Sequence, residues 1–123
     1  MEGFNMSLRK LIDQNFEMHS GDTKDLVVTV LDEQDQAVPI VAADVVFILS
    51  KNEFSTALVT KTTGGGGIVI TNGPGGVLTI TLDSADTEPL VGEHYYEVEL
   101  TDVASRVNTI AVGTIDIRPN VIT

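Results

Sequence analysis

The fold is decided by one stretch of the sequence, GEHYYEVELTDVASRVNTIAVGTIDIRP (Gly92–Pro119). Two runs of β-forming residues flank the polar turn VASR, and this arrangement is the signature of an antiparallel β-hairpin. In the first run one parity is apolar, namely Tyr96, Val98 and Leu100. The other parity is mostly polar, namely Tyr95, Glu97, Glu99 and Thr101. Because successive side chains of a strand point to opposite faces, we predict that the first set is buried and the second meets water.

In the second run of the hairpin the apolar parity changes. Ile110 and Val112 have one parity, whereas Ile115 and Ile117 have the other. One extra residue in the strand would place both sets of apolar side chains on the same face of the sheet. We therefore predict a β-bulge at Gly113.

Six further strands are indicated by short β-forming runs between Gly-, Asn- and Asp-rich turns, at residues 15–19, 24–31, 43–50, 55–62, 68–70 and 77–82. We expect Val45, Phe47 and Leu49 to face the core, as well as Leu78, Ile80 and Leu82. Residues 83–90 have helical character, but Pro89 limits them to about one turn. A helical turn followed by a G-x-x-Y strand is typical of the E–F corner of immunoglobulin-like domains. The sequence therefore predicts an all-β fold, an immunoglobulin-like antiparallel β-sandwich of about seven to eight strands with one short helical turn, over residues 15–123.

Residues 1–14, MEGFNMSLRKLIDQ, differ in pattern from the rest and allow two interpretations. Ser7 can cap a short helix in which Leu8, Leu11 and Ile12 have i, i+3, i+4 spacing. Alternatively, the segment is an N-terminal arm, either frayed or burying Phe4, Leu8, Leu11 and Ile12 on a neighbouring subunit.

The composition excludes several classes of site. The chain has 123 residues, the size of one domain, and its 0 cysteines exclude disulfides, thiolate metal sites and cysteine nucleophiles. The net charge of −11 opposes direct binding to nucleic acid and favours solubility or a basic partner. No run approaches the ~18 apolar residues of a membrane span, so we expect no membrane partner.

Residues with possible catalytic or ligand-binding chemistry are scattered. The run TTGGGG is followed by a strand and lacks the Lys and Ser or Thr of a phosphate-binding loop, and His19 and His94 have no zinc-site spacing. Two carboxylate clusters fit either solvated turns or, as the alternative, calcium sites: Asp32, Glu33, Asp35 and Asp83, Asp86, Glu88. No serine-nucleophile motif is present. We therefore expect a protein that is not an enzyme and has no cofactor or metal.

Apolar residues at outward positions are the candidate contacts with partners. Val27, Val46 and Ile48 lie at strand positions opposite the predicted core parity, and Tyr95 is the outward aromatic residue. The candidate interface comprises Phe4, Leu8, Leu11, Ile12, Val27, Val46, Ile48 and Tyr95. This apolar surplus predicts self-association into a homo-oligomer.

Three segments, residues 21–38, 67–102 and 105–123, resemble small virion proteins of tailed bacteriophages, whose immunoglobulin-like sandwich is akin to the N-terminal domain of siphophage upper baseplate proteins. These proteins use a strand of the form G-x-Y-x-Y-x-L-x-L-T-D, a turn, and an exit strand ending in R-P. Gly92, Tyr96, Val98, Leu100, Thr101 and Asp102 match this pattern, whereas His94 replaces the first tyrosine and leaves the corner hydrogen bond in question.

The resemblance implies a structural virion component, assembled in the cytoplasm of the bacterial host, that serves as an adaptor or accessory protein on the tail, baseplate or neck. Its implied partners are other virion subunits. The alternative is a carbohydrate- or host-surface-binding module, which would need a concave aromatic or calcium site.

Overall fold

Residues 8–122 are described by the structure, a computed structural model, and form two packed β-sheets with one short helix. The elements are β1 (Phe16–His19), β2 (Lys24–Thr29), β3 (Asp44–Ser50), β4 (Ala57–Thr62), β5 (Ile68–Asn72), β6 (Val77–Leu82), α1 (Ser84–Thr87), β7 (Gly92–Thr101) and β8 (Val107–Arg118). The predicted all-β sandwich is confirmed. No helix among the described residues has the length and apolar character needed to cross a membrane.

The two sheets differ in size. The large sheet has the strand order β1-β8-β7-β3-β4, and the small sheet has the order β2-β6-β5. Neighbouring strands are antiparallel except β1 and β8, which run parallel with Phe16 opposite Ile115 and His19 opposite Arg118. The predicted antiparallel sandwich therefore has one parallel edge, where the first strand lies beside the last strand and runs in the same direction.

The core lies between the sheets and contains the residues that strand alternation predicted. Val45, Phe47 and Leu49 of β3 have 0% exposure, as do Leu78, Ile80 and Leu82 of β6. On β7 the predicted inward set, Tyr96, Val98 and Leu100, is also buried. Burying each such side chain contributes about 1.5–3 kcal/mol, so these strands supply a large share of the folding free energy.

Tyr96 is the centre of an aromatic cluster between the sheets. Its ring centroid lies 5.9 Å from that of Phe16 and 5.7 Å from that of Phe47. Its hydroxyl donates a 2.6 Å hydrogen bond to the backbone oxygen of Gln14, as expected for a buried polar group. Tyr96 therefore connects the core to the N-terminal segment.

Residues 8–14 do not form the short helix that was one of the two predictions. Leu8 bridges to Asp32 and the Arg9 amide bonds to Leu31 O at 2.8 Å, which attaches the chain to the end of the small sheet. The Leu11 amide then bonds to Ile110 O at 2.9 Å in the large sheet. Pairing with both sheets satisfies these backbone groups better than a marginal helix would.

The N-terminal arm is thus part of the sandwich over its described length. Leu8 and Leu11 pack half-buried against the chain's own core, whereas one prediction placed them on a neighbouring subunit. Ile12 is 59% exposed. Phe4 lies outside the described residues.

The bulge in β8 occurs at Ile110 and not at the predicted Gly113. The pairing of β7 with β8 shifts between Val98, opposite Ala111, and Glu99, opposite Thr109, so Ile110 is the extra residue. Gly113 serves another purpose, because a Cβ atom there would clash with the backbone oxygen of Gln14. The glycine allows the N-terminal segment to pass directly over the large sheet.

The corner before β7 is stabilised without a tyrosine. The Thr87 hydroxyl, which is fully buried, accepts a 2.9 Å bond from the Gly21 amide, and Ser20 Oγ donates a 2.7 Å bond to Glu88 O. His94, at the position of the missing tyrosine, is buried with Nδ1 3.0 Å from Gly92 O. Polar contacts between the β1–β2 turn and α1 thus fix the corner.

We expect Gly113→Ala to lower the free energy of unfolding by about 1–3 kcal/mol, because the added methyl group overpacks the contact with Gln14. Gly64→Ala is the control, since nothing lies within 4 Å of a Cβ atom at that position. Urea melts measure both variants, and the control should stay within ~0.5 kcal/mol of the parent protein. Equal stabilities for the two variants would show that the close approach at Gly113 is unimportant.

Candidate functional site

The outer surfaces of the two sheets carry different kinds of side chain. In both sheets, alternation along the strands determines which side chains face outward. We call the outer surface of the large sheet the acidic face. Its carboxylates are Glu17, Asp44, Glu93, Glu97, Glu99 and Asp116, all at positions that alternate with buried residues. Arg118 lies 3.6 Å from Glu17 and 3.9 Å from Asp116, too weakly paired to offset this charge.

The acidic face has an apolar centre. Val46 and Ile48 of β3 are half-buried and stand directly opposite Glu99 and Glu97 of β7. On the other side of β7, Val112 is opposite Glu97. Apolar side chains and carboxylates are therefore cross-strand neighbours on this surface.

Tyr95 lies on the same face beside this centre. Its hydroxyl donates a 2.7 Å hydrogen bond to Glu97 Oε2, which holds the ring against β7. Burial raises the pKa of Tyr95 above its ordinary value, and the hydrogen bond to Glu97 and the charges of Glu97 and Glu53 raise that pKa further. A cavity of about 420 Å³ lies beside the ring, lined in part by Lys10, Glu53 and Thr114.

The predicted interface residues are only partly brought together. The structure groups Val46, Ile48 and Tyr95 on the acidic face, whereas Val27 lies on the outer surface of the small sheet with 66% exposure. Leu8 and Leu11 belong to the packed N-terminal segment, as described above. The described candidate residues on the sheet faces therefore lie on two separate surfaces.

The small sheet presents a second surface, which we call the valine–threonine face. Its outward side chains are Asp25, Val27, Thr29, Val69, Thr71, Val77, Thr79 and Thr81. Among these residues, Val27 alone was predicted to be a contact. Alternation along each strand indicates which of its residues face outward. Which residues share one surface depends on how the three strands pair.

A third feature is an open cavity of about 540 Å³ at the end of the sandwich. It lies between the β2–β3 and β7–β8 loops, and its lining includes Leu8, Ile40, Val103 and Arg106. Asp102 closes the β7–β8 loop by accepting bonds from the Arg106 amide and Nε, both at 3.0 Å. The Arg106 and Ala104 amides and the Arg106 charge lower the pKa of Asp102. These contacts shape the loop.

Asp32 and Asp35 of the first carboxylate cluster make local structural contacts. Asp32 Oδ1 accepts bonds from the Gln34 and Gln36 amides at 2.8 and 2.9 Å, as in a hydrogen-bonded turn. Asp35 pairs with Arg9. Within residues 8–122 no group of three or more His, Asp or Glu side chains is arranged to hold a metal ion. His19 and His94 point to opposite sides of the large sheet.

In the second cluster, Asp83 and Asp86 pair with the half-buried Lys61. Lys61 Nζ lies 2.8 Å from Asp86 and 3.5 Å from Asp83, and only 12% of the lysine side chain is exposed. The hydrogen bond from Lys61 to Asp86 raises the pKa of Lys61 despite its burial. This contact links β4 to α1 and so joins the two sheets at the corner.

No protein-family model matches the chain, and a search of curated proteins found no match.

Titration of the two tyrosines should show how each is held. Burial raises the pKa of Tyr96 to about 12, and the pKa of Tyr95 is raised as well. Both exceed the unfolded value of about 10, so stability is full below that pH and is lost as pH rises from it through the folded-state values. We expect no tyrosinate absorbance near pH ~10 while the fold is intact.

Glu97→Gln distinguishes the titration of Tyr95 from that of Tyr96. It removes the charged acceptor of Tyr95 and should lower that pKa, whereas the pKa of Tyr96 should not change. Tyr95→Phe and Tyr96→Phe assign the two transitions by absorbance. A tyrosine in the folded parent protein that ionises near pH ~10 would contradict the described environments.

Proposed function

We propose that the protein is a structural component of a tailed-bacteriophage virion, an adaptor or accessory subunit of the tail, baseplate or neck, and that it acts through protein–protein interfaces. The observation that carries this proposal is the acidic face, where Val46, Ile48 and Tyr95 form an apolar and aromatic centre among six carboxylates. The resemblance of the β7 motif to phage virion proteins supplies the biological context.

The acidic face has the anatomy of an interface between proteins. Stable interfaces commonly have an apolar centre with tyrosine and a polar rim, and the side chains here follow that order. Val46, Ile48 and Tyr95 stand on paired strands, so a partner would meet a rigid surface. A rigid surface loses little conformational entropy on binding and suits a subunit with a fixed place in a particle.

The charge of the face selects the chemistry of the partner. Glu93, Glu97 and Glu99 on one strand repel acidic surfaces and nucleic-acid backbones and attract lysine- and arginine-rich surfaces. Exposed charges of this kind accelerate association at low salt, and salt screens them over ~8 Å at physiological ionic strength. The partner of this face is thus a basic surface of another virion subunit.

Incorporation into particles tests the proposal. A C-terminally tagged chain is expressed during growth of the phage that encodes it, and particles are purified on a gradient. We expect the chain to co-purify with particles in fixed stoichiometry and immunogold to label one region of the tail or neck. Recovery of the chain only outside assembled particles would overturn the proposal.

Two substitutions locate the interface. Ile48→Thr removes an apolar contact and keeps a β-forming side chain, and Glu99→Lys reverses a charge beside Val46. We expect the combined variant to reduce incorporation by about tenfold or more, which corresponds to ~1.4 kcal/mol. Val91→Thr, which matches the apolar-to-threonine change at a 57% exposed site outside the acidic face, is the control. Thermal melts establish that both variants are folded.

A further inference from the structure

The valine–threonine face is almost free of charge on a strongly acidic protein. Of its eight outward side chains, Asp25 is the one charged residue, and Asp25 Oδ1 accepts a 2.7 Å bond from Thr81 Oγ1. The whole chain has 18 acidic and 7 basic residues. The outer surface of the large sheet carries six carboxylates by comparison. Charge is therefore distributed unequally between the two faces.

A row of β-branched side chains crosses the centre of this face. Val27 of β2 and Val69 of β5 both lie opposite Thr79 of the central strand β6. Val27 is 66% exposed and Val69 is 62% exposed. A sheet surface that faces only water usually alternates its buried residues with charged or polar ones, so an exposed β-branched row indicates a surface that another molecule covers.

We propose that a second copy of this chain binds on the valine–threonine face, with the two small sheets packed face to face. Two copies with net charge −11 repel each other, and contact through the acidic faces would bring carboxylates together. Contact through the valine–threonine faces would bring one charged residue from each copy into the interface, Asp25. Its carboxylate already accepts a hydrogen bond from the Thr81 hydroxyl. Like charge thus disfavours the other contact and permits this one.

The threonines make the face complementary to itself. A hydroxyl group both donates and accepts, so identical threonine surfaces can satisfy each other across a two-fold axis, whereas identical carboxylate surfaces cannot. Thr79 and Thr71 already show such a contact within one chain, with their hydroxyl oxygens 3.4 Å apart. Valine and threonine are also stiff at χ1, so little rotamer freedom is lost when they are covered.

The size of the face sets the strength of the contact. Three strands ~4.8 Å apart and ~20 Å long present about 300 Å² per copy, below the ~800 Å² per partner of a typical stable interface. The homotypic contact is therefore weak and concentration-dependent. In a particle that holds several copies close together, a high effective concentration compensates for weak affinity.

Sedimentation of the full chain from micromolar to millimolar concentration tests the contact. We expect reversible association that Val27→Glu and Val69→Glu each weaken by about tenfold or more. Leu58→Glu is the matched control, because it adds the same charge at a 52% exposed apolar site on β4, away from the face. A strict monomer at millimolar concentration, or equal weakening by all three variants, would overturn the proposal.

Two further measurements test the contact without the glutamate variants. With 0 cysteines in the chain, Thr79→Cys introduces a single thiol at the centre of the face. We expect it to form a disulfide-linked dimer much faster than Thr60→Cys on the large sheet. In the unaltered chain, amide NMR shifts in β2, β5 and β6 should change on dilution. Shifts confined to β7 and β3 would instead assign self-association to the acidic face. These assays need no other virion subunit, so their outcome is separate from that of particle incorporation.

Discussion

The buried hydroxyl of Tyr96 needs a hydrogen-bond partner, and the backbone oxygen of Gln14 provides it at 2.6 Å. An unpaired hydroxyl in the core would cost about 1–3 kcal/mol, so this bond strongly favours the path of the N-terminal segment. Gly113 leaves room for that path. Once Gln14 is fixed, the next residues continue as β1 along β8 in the large sheet. Because β1 belongs to the large sheet, the small sheet has three strands and a small outer surface.

Local alternation predicted most of the fold because it needs no knowledge of strand pairing. The inward residues of β3, β6 and β7 were identified correctly from a period of two. The errors arose where one pattern fits two structures. Leu8 and Leu11 have the spacing of a helix. Each is half-buried for a different reason, because the chain pairs first beside the small sheet and then with the large sheet. Gly113 was predicted to be the site of a bulge, whereas its small size is required by the close approach of Gln14.

The candidate surfaces could be predicted residue by residue but not as surfaces. Val46, Ile48 and Tyr95 were each expected to point outward, yet their adjacency depends on the pairing of β3 with β7, about half the chain apart. The valine–threonine face was missed for the same reason. Thr29, Thr71 and Thr79 look like ordinary strand residues, and their shared lack of charge becomes visible only when β2, β5 and β6 are side by side.

The sandwich allows one chain to carry two surfaces of unlike charge. The two sheets pack about 10 Å apart, and their outward side chains add further distance between the faces. Salt screens exposed charges over ~8 Å, so the carboxylates of one face contribute little potential at the other. The acidic face therefore repels other acidic surfaces, while the valine–threonine face carries little charge of its own. This difference leaves the core between the sheets unaffected, because these side chains point outward.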